Sequence, residues 1–190
     1  MSIQYAILGL LSWRPLFGYD LKKIISESDI FYWSGSNNQI YHTLIQLHED
    51  GLVTQVVQYQ ENLPAKKVYT ITEKGQAELR KWVLSTPQLP ELHNTFLIQL
   101  AWADQLSDAE IDALLGKYED EVEMQLRILF EKGRRGTEIP DRTPREAYLW
   151  KKIAENITAT YQNELAWARL MREELKEQGV SNELPVGDQP

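Results

Sequence analysis

Gln39-Ile40-Tyr41-His42-Thr43-Leu44-Ile45-Gln46-Leu47-His48-Glu49-Asp50-Gly51-Leu52-Val53, followed by Lys66-Lys67-Val68-Tyr69-Thr70-Ile71-Thr72-Glu73-Lys74-Gly75, decides the fold of this chain. Ile40, Leu44 and Leu47 recur at helical spacing and Gly51 stops the helix they define. Leu52 to Gln60 and Lys66 to Thr72 are rich in Val and Tyr and predict two strands. Glu61-Asn62-Leu63-Pro64-Ala65 reads as the loop between them, because proline breaks pairing. Thr72 suits the cap of a further helix running to about Leu84. Helix, stop, two strands and helix form the second half of a winged helix-turn-helix, a fold that lays one helix in a DNA major groove and leans its strand pair on the backbone beside it.

Working outward, Ile3, Ala6, Ile7, Leu10 and Leu11 predict a first buried helix, ended near Trp13 by Pro15 and Gly18. Gly18 to Glu27 predicts a second, with Leu21, Ile24 and Ile25 inward. The turn-rich Ser34-Gly35-Ser36-Asn37-Asn38 leads into the third helix. Pro87 and Pro90 mark a linker, and from Leu92 the pattern is almost wholly helical. Ser107-Asp108-Ala109-Glu110 and Thr143-Pro144-Arg145-Glu146 both fit the capping box and start two long helices. The first runs from Asp108 to about Lys132. The second runs from Pro144 to about Glu174, roughly 31 residues or about 46 Å. Its stripe of Trp150, Ile153, Ile157, Tyr161, Leu165, Ala168, Met171 and Leu175 alternates threes and fours as a helix seam does. A helix of that length exceeds what a small domain covers, so the stripe is expected to meet a second copy of the chain. The resulting fold class is mainly α with a small two-stranded wing. An N-terminal winged helix-turn-helix domain is expected over 1–86, a helical dimerisation and possible effector domain over 91–178, and a disordered tail over 179–190.

A chain of 190 residues with 43% hydrophobic content can bury a sizeable core without staples. It has no cysteine, which removes thiol catalysis, thiolate zinc and disulfides, and suits a reducing cytosol. Ala6 to Leu11 lacks the basic flank of a signal core, and no apolar run nears the roughly 18 residues that span a bilayer. A soluble, cytoplasmic protein without membrane contact is therefore expected. The net charge of −8 is unevenly placed: residues 1–85 hold eight basic and eight acidic residues, so all of it falls after residue 85. Such asymmetry suggests two parts with different partners.

On the third helix the apolar stripe of Ile40, Leu44 and Leu47 must face the core, which turns Asn38, Gln39, His42 and Gln46 outward. Asn and Gln offer the paired donor and acceptor that match adenine's N6 and N7 edge, and Ile45 could cover a thymine methyl. Tyr41 on the shoulder suits a phosphate. Lys66 and Lys67 on the wing, with Lys22 and Lys23 on the second helix, would supply backbone contacts to double-stranded DNA. The helix has no Lys or Arg of its own, so its grip has to be borrowed from those neighbours.

Ile7-Leu8-Gly9-Leu10-Leu11, Gly18-Tyr19-Asp20-Leu21, Gln39-Ile40-Tyr41, Asp50-Gly51-Leu52-Val53, and Tyr69 through Thr72-Glu73-Lys74-Gly75 together resemble the PadR family of bacterial transcriptional regulators. In the second part, Phe96-Leu97, Leu106-Ser107 and Leu165-Ala166-Trp167 resemble the helical dimerisation domain of its longer members. The resemblance departs from the family at Ile45-Gln46, where a basic pair is usual, and at His42. It implies a homodimeric repressor that leaves a pseudo-palindromic operator when a small, often aromatic, molecule binds.

Phe96, Trp102, Tyr118, Phe130, Tyr148, Trp150, Tyr161 and Trp167 could line a pocket for a planar effector, although aromatics at helical spacing more often form core or seam. Arg127, Arg134 and Arg135 could meet an anionic ligand or offset nearby acids. No enzyme is expected: His42, His48 and His93 do not make a metal pair, no phosphate loop or nucleophile elbow occurs, and no cofactor is implied. The better rival to a DNA reader is a winged helix used as a protein-interaction scaffold.

Overall fold

The computed structural model describes residues 3–28, 37–60, 63–89, 94–136, 140 and 142–178. The expected turn at 34–36, His93 and the tail after 179 lie outside them. The chain divides into two compact units, one of residues 1–88 with 138–147, the other of 89–137 with 148–190.

In the first unit, α1 (Ile3–Trp13), α2 (Gly18–Glu27), α3 (Asn37–Glu49) and α4 (Glu73–Val83) surround a small sheet of β1 (Leu16–Phe17), β2 (Val53–Gln60) and β3 (Leu63–Ile71). The order is β1-β3-β2, antiparallel throughout. The core holds most of the set that the helical spacing selects, with Leu8 added and Ala6 and Ile24 only partly buried. Ile7, Leu8 and Leu11 of α1, Leu21 and Ile25 of α2, and Ile40, Leu44 and Leu47 of α3 meet Val53 and Tyr69 of the sheet. Each such aliphatic side chain contributes about 1.5–3 kcal/mol by leaving water. On the far side of α1, the Tyr5 ring stacks on Trp82 of α4 at 4.5 Å.

The corner after α3 explains the Asp50-Gly51 and Thr72-to-Gly75 motifs. Gly51 turns the chain at φ +68°, where an L side chain is strained. The Thr72 hydroxyl donates to the carbonyls of Gly51 (2.8 Å) and Leu52 (3.1 Å), and accepts from the Gly75 amide (3.1 Å), which caps α4. Gly75 is buried so close to Leu52 that an added Cβ would lie 2.2 Å from the Leu52 carbonyl oxygen. Helix and strand therefore touch backbone to backbone.

The structure corrects the sheet in two respects. The β2–β3 pair is the expected wing, but the sheet gains a third strand, because Leu16 pairs with Tyr69 and Phe17 with Val68. Two residues between Pro15 and Gly18 are too few for a period-2 pattern to show. Secondly, Leu63, Pro64 and Ala65 belong to β3 rather than to a loop. Pro64 is tolerated because it falls at the register irregularity after Gln58, beyond the reach of β1, where no ladder bond is asked of it.

The second unit contains α5 (Thr95–Ala101), a 3-10 turn (Ala103–Gln105), α6 (Asp108–Arg135) and most of α7 (Pro144–Gln178). Ser107 and Glu110 form the expected capping box at the start of α6. Gly136, at φ +76°, follows its end. Asp112 and Glu119 of α6 meet Arg172 of α7, Asp112 also meets Lys176, and Glu119 and Glu123 meet Arg169, so the two helices run antiparallel. Phe96 of α5 stacks on Tyr118 at 3.8 Å and meets the Trp167 edge, while the Tyr118 hydroxyl donates to Glu164 at 2.7 Å.

Hydrogen bonds from Arg172, aided by Lys176, hold the Asp112 carboxyl at about 2, below its ordinary 3.8. A lowered carboxylate value means that the pair's stabilisation is whole above pH 3.8 and is lost as pH falls through about 2. A carboxyl-carbon NMR titration is expected to place Asp112 near 2, and higher in Arg172→Gln, where Lys176 alone still lowers it.

Candidate nucleic-acid interface

α3 buries Ile40, Leu44 and Leu47 and leaves Asn38, Gln39, Tyr41, His42, Ile45 and Gln46 exposed. The Thr43 hydroxyl bonds back to the Gln39 carbonyl at 2.8 Å, which keeps it out of competition with its neighbours. The Gln46 amide donates to Asp50 at 3.1 Å, so reading a base with Gln46 requires exchanging that contact. Lys74 anchors the same corner by donating to the Asp50 carbonyl at 2.7 Å.

Beside α3 the first turn of α2, the shoulder of α3 and β3 enclose a cleft of about 430 Å³. Tyr41 and Ile45 line it from α3, Tyr19 and Asp20 from α2, and Lys66 and Lys67 from β3. Phe17, Gly18 and Tyr69 complete its walls. Gly18 sits at close approach: a Cβ there would stand 3.2 Å from the Tyr41 ring and 3.4 Å from that of Tyr69. Lys66 Nζ lies 5.6 Å from the centre of the Phe17 ring, and neither Lys66 nor Lys67 has a carboxylate partner among the described residues. Burial, and then the nearby Tyr41 phenol, raise the Tyr69 hydroxyl above its ordinary value, so Tyr69 stays neutral at physiological pH.

The sequence-derived DNA contacts thus separate into three groups. Asn38, Gln39, His42 and Gln46 form the outer face of α3, whereas Tyr41, Lys66 and Lys67 border the cleft. Lys22, half-buried, and Lys23, exposed, lie a turn further along α2 and do not line the cleft. Sequence reasoning passed over Phe17, Gly18, Tyr19 and Tyr69. The Gly18-Tyr19 pair at a helix start was the available signal.

Of the stripe on α7, Ala168 is fully buried within the single chain. Trp150, Ile157, Tyr161, Leu165, Met171 and Leu175 are half-buried and Ile153 is exposed. Leu149, Leu170 and Trp167 stand exposed on an adjoining face of the helix. Phe96 and Tyr118, which could have lined an effector pocket, stack on each other, and Phe130 and Trp102 are exposed. No helix among the described residues is long and apolar enough to cross a membrane, and no acid-histidine group there could hold a metal ion.

Residues 7–81 match the PadR-like family of transcriptional regulators. The negative transcriptional regulator PadR of Bacillus subtilis is 34% identical over 113 residues, 59% of this chain and 62% of that protein. A probable transcriptional regulator of Mycobacterium tuberculosis, Rv1176c, is 34% identical over 83 residues, 44% of each chain. The chain thus spans less than two thirds of the length of these curated relatives. The crystal structure of Bacillus subtilis PadR in complex with operator DNA superposes with a TM-score of 0.79 at 25% identity, covering 91% of this chain and 98% of that one.

Proposed function

We propose, from the premise that this chain belongs to the PadR-like family of transcriptional regulators, that it is a homodimeric, sequence-specific DNA-binding repressor of the cytoplasm. A small aromatic effector releases it from DNA. One observation carries the reading: the polar face of α3 stands exposed beside two lysines that no carboxylate claims among the described residues. Asn38, Gln39, His42 and Gln46 read base edges, while Tyr41, Lys66 and Lys67, with Lys22 and Lys23 on α2, hold phosphates. The likeness to a regulator solved on operator DNA supports the same docking here.

The double change Asn38→Ala and Gln46→Ala tests base reading. It is expected to cost about 1–3 kcal/mol per lost contact at the cognate site and little on random DNA. Equal losses on both would remove the reading role and leave only phosphate contact.

The dimer is formed through α7. Because Ala168 is consumed by the chain's own packing, the residues available to a second copy are the exposed Leu149, Ile153, Trp167 and Leu170, with the half-buried Trp150 and Ile157 beside them. Two α3 helices then enter major grooves about one turn, roughly 34 Å, apart on a pseudo-palindromic operator.

A further inference from the structure

We infer that Arg142 is a positioning residue for DNA binding. It ties the first turn of α7 to the end of α1, and so removes the swivel at the point where α7 leaves the winged-helix unit. The inference rests on the reading above, which makes α7 the dimer helix and the winged helix the DNA reader.

Every contact that carries it lies inside one unit, because residues 138–147 belong with 1–88. The chain returns to the winged helix just ahead of α7, where Pro140 is buried. Arg142 Nη1 donates to the Ser12 carbonyl at 2.7 Å, across 130 residues of sequence. Ser12 stands in the last turn of α1, where carbonyls lack helical partners and the helix dipole favours a cation. The same guanidinium forks onto Glu146 in the first turn of α7, Nε to one carboxylate oxygen at 3.0 Å and Nη2 to the other at 2.6 Å. The Arg142 amide donates to Glu146 as well, at 2.9 Å, and the Glu146 amide donates to the Thr143 hydroxyl at 3.1 Å. A capping box would turn the Glu146 carboxylate onto Thr143; here Arg142 takes it, so the motif that starts the helix also fastens it. Hydrogen bonds from the Arg142 side chain, above all, hold the Glu146 carboxyl below its usual range.

The consequence is mechanical. α1 shares its core with α3, whose outer face is the base reader. α7 runs unbroken from Pro144 to Gln178, and a continuous helix acts as a stiff spacer where a coil would not. With its first turn fixed to α1, α7 has no free joint at its start, so two copies joined through it offer their α3 helices at one separation. Stiffness of that kind raises the effective concentration of the second half-site at a matched spacing and lowers it elsewhere. An exposed ion pair alone would hold little. The planar fork of arginine reaches two helix ends at once, which the single ammonium of a lysine cannot do.

The test uses the full chain, whose lack of cysteine allows spin labels to be placed only at Glu49→Cys on α3 and Gln162→Cys on α7. Labelled chain is diluted into unlabelled chain, so that only the distance within one copy is read. A narrow distance distribution is expected with Arg142, and a clearly broader one in Arg142→Gln and in Arg142→Lys, with the helical spectrum unchanged in both. On duplexes carrying two half-sites from the DNA upstream of its own coding sequence, both variants are expected to bind about tenfold more weakly at the preferred spacing and to lose that preference, while affinity for a single half-site stays unchanged. A merely structural contact would move neither the spacing profile nor the ratio of the two affinities. Equal distribution widths in parent and variants, or a spacing profile that Arg142→Lys leaves intact, would overturn the inference while leaving the repressor reading standing. Absence of DNA binding altogether would defeat that reading, and the label distances would still decide whether Arg142 holds α7.

Discussion

Gly75→Ala is expected to destabilise the winged-helix unit by about 3 kcal/mol or more, the upper end of what overpacking costs. Helix propensity alone predicts the opposite sign, since Ala is favoured over Gly within a helix by about 1 kcal/mol. Geometry decides. The new Cβ would meet the Leu52 carbonyl oxygen at 2.2 Å and Ile71 Cγ1 at 2.8 Å. The nearer atom is backbone, fixed by the Thr72 amide at 3.0 Å and by the Thr72 hydroxyl, so it cannot turn aside as a side chain can. Relief requires moving α4 off the sheet, which would break the Thr72 cap as well. Gly9→Ala is the matched control, because a Cβ at Gly9 in α1 meets nothing within 4 Å. It is expected to gain about 0.5–1 kcal/mol through helix propensity. Urea unfolding followed by circular dichroism measures both, and a Gly75→Ala protein as stable as the parent would refute the backbone contact.

Ile153→Glu combined with Leu170→Glu is expected to dissociate the dimer without unfolding the chain. Both side chains are exposed in the single chain, so each can accept a carboxylate there. In the dimer each would forfeit about 1.5–3 kcal/mol of apolar burial, and a buried unpaired charge adds to the loss. Counted over both copies, the combined effect is a rise in the dimer Kd of about four orders of magnitude or more. Sedimentation velocity should show a monomer with an unchanged helical spectrum, and binding to a two-half-site operator should fall with it. A double variant that stays dimeric would move the interface to another face. Ala168→Leu separates this from internal packing: at a position already fully buried, extra volume should lower the melting temperature rather than change the oligomeric state.

Much of this arrangement is legible in the residues themselves. The spacing of Ile40, Leu44 and Leu47 gives the inner face of α3 and hence its outer one, and Thr72 and Ser107, as caps, announce the helices that begin one residue later. What escaped the sequence is non-local. β1 is two residues long and exists only because Tyr69 and Val68 are brought beside it. The engagement of Gln46 by Asp50 and the burial of Ala168 depend on rotamers and on the antiparallel approach of α6 and α7, which periodicity along one helix cannot report. The same limit applies to Tyr69. A tyrosine in a strand reads as sheet surface until Gly18 and α3 close over it.

The chain is neutral in its first 85 residues and acidic after them, so the proposed hold on DNA would be local to α3, the wing and α2. Fluorescence anisotropy of the full chain on the DNA upstream of its own coding sequence, and on a shuffled duplex, across a series of salt concentrations, tests this most directly. The expected result is tighter binding to the upstream DNA on both sides of the series. The log-log salt dependence should carry a slope of about −0.9 per neutralised phosphate, made shallower by Lys66→Ala with Lys67→Ala. Binding that is indifferent to salt, or equal on the two duplexes at every concentration, would contradict it.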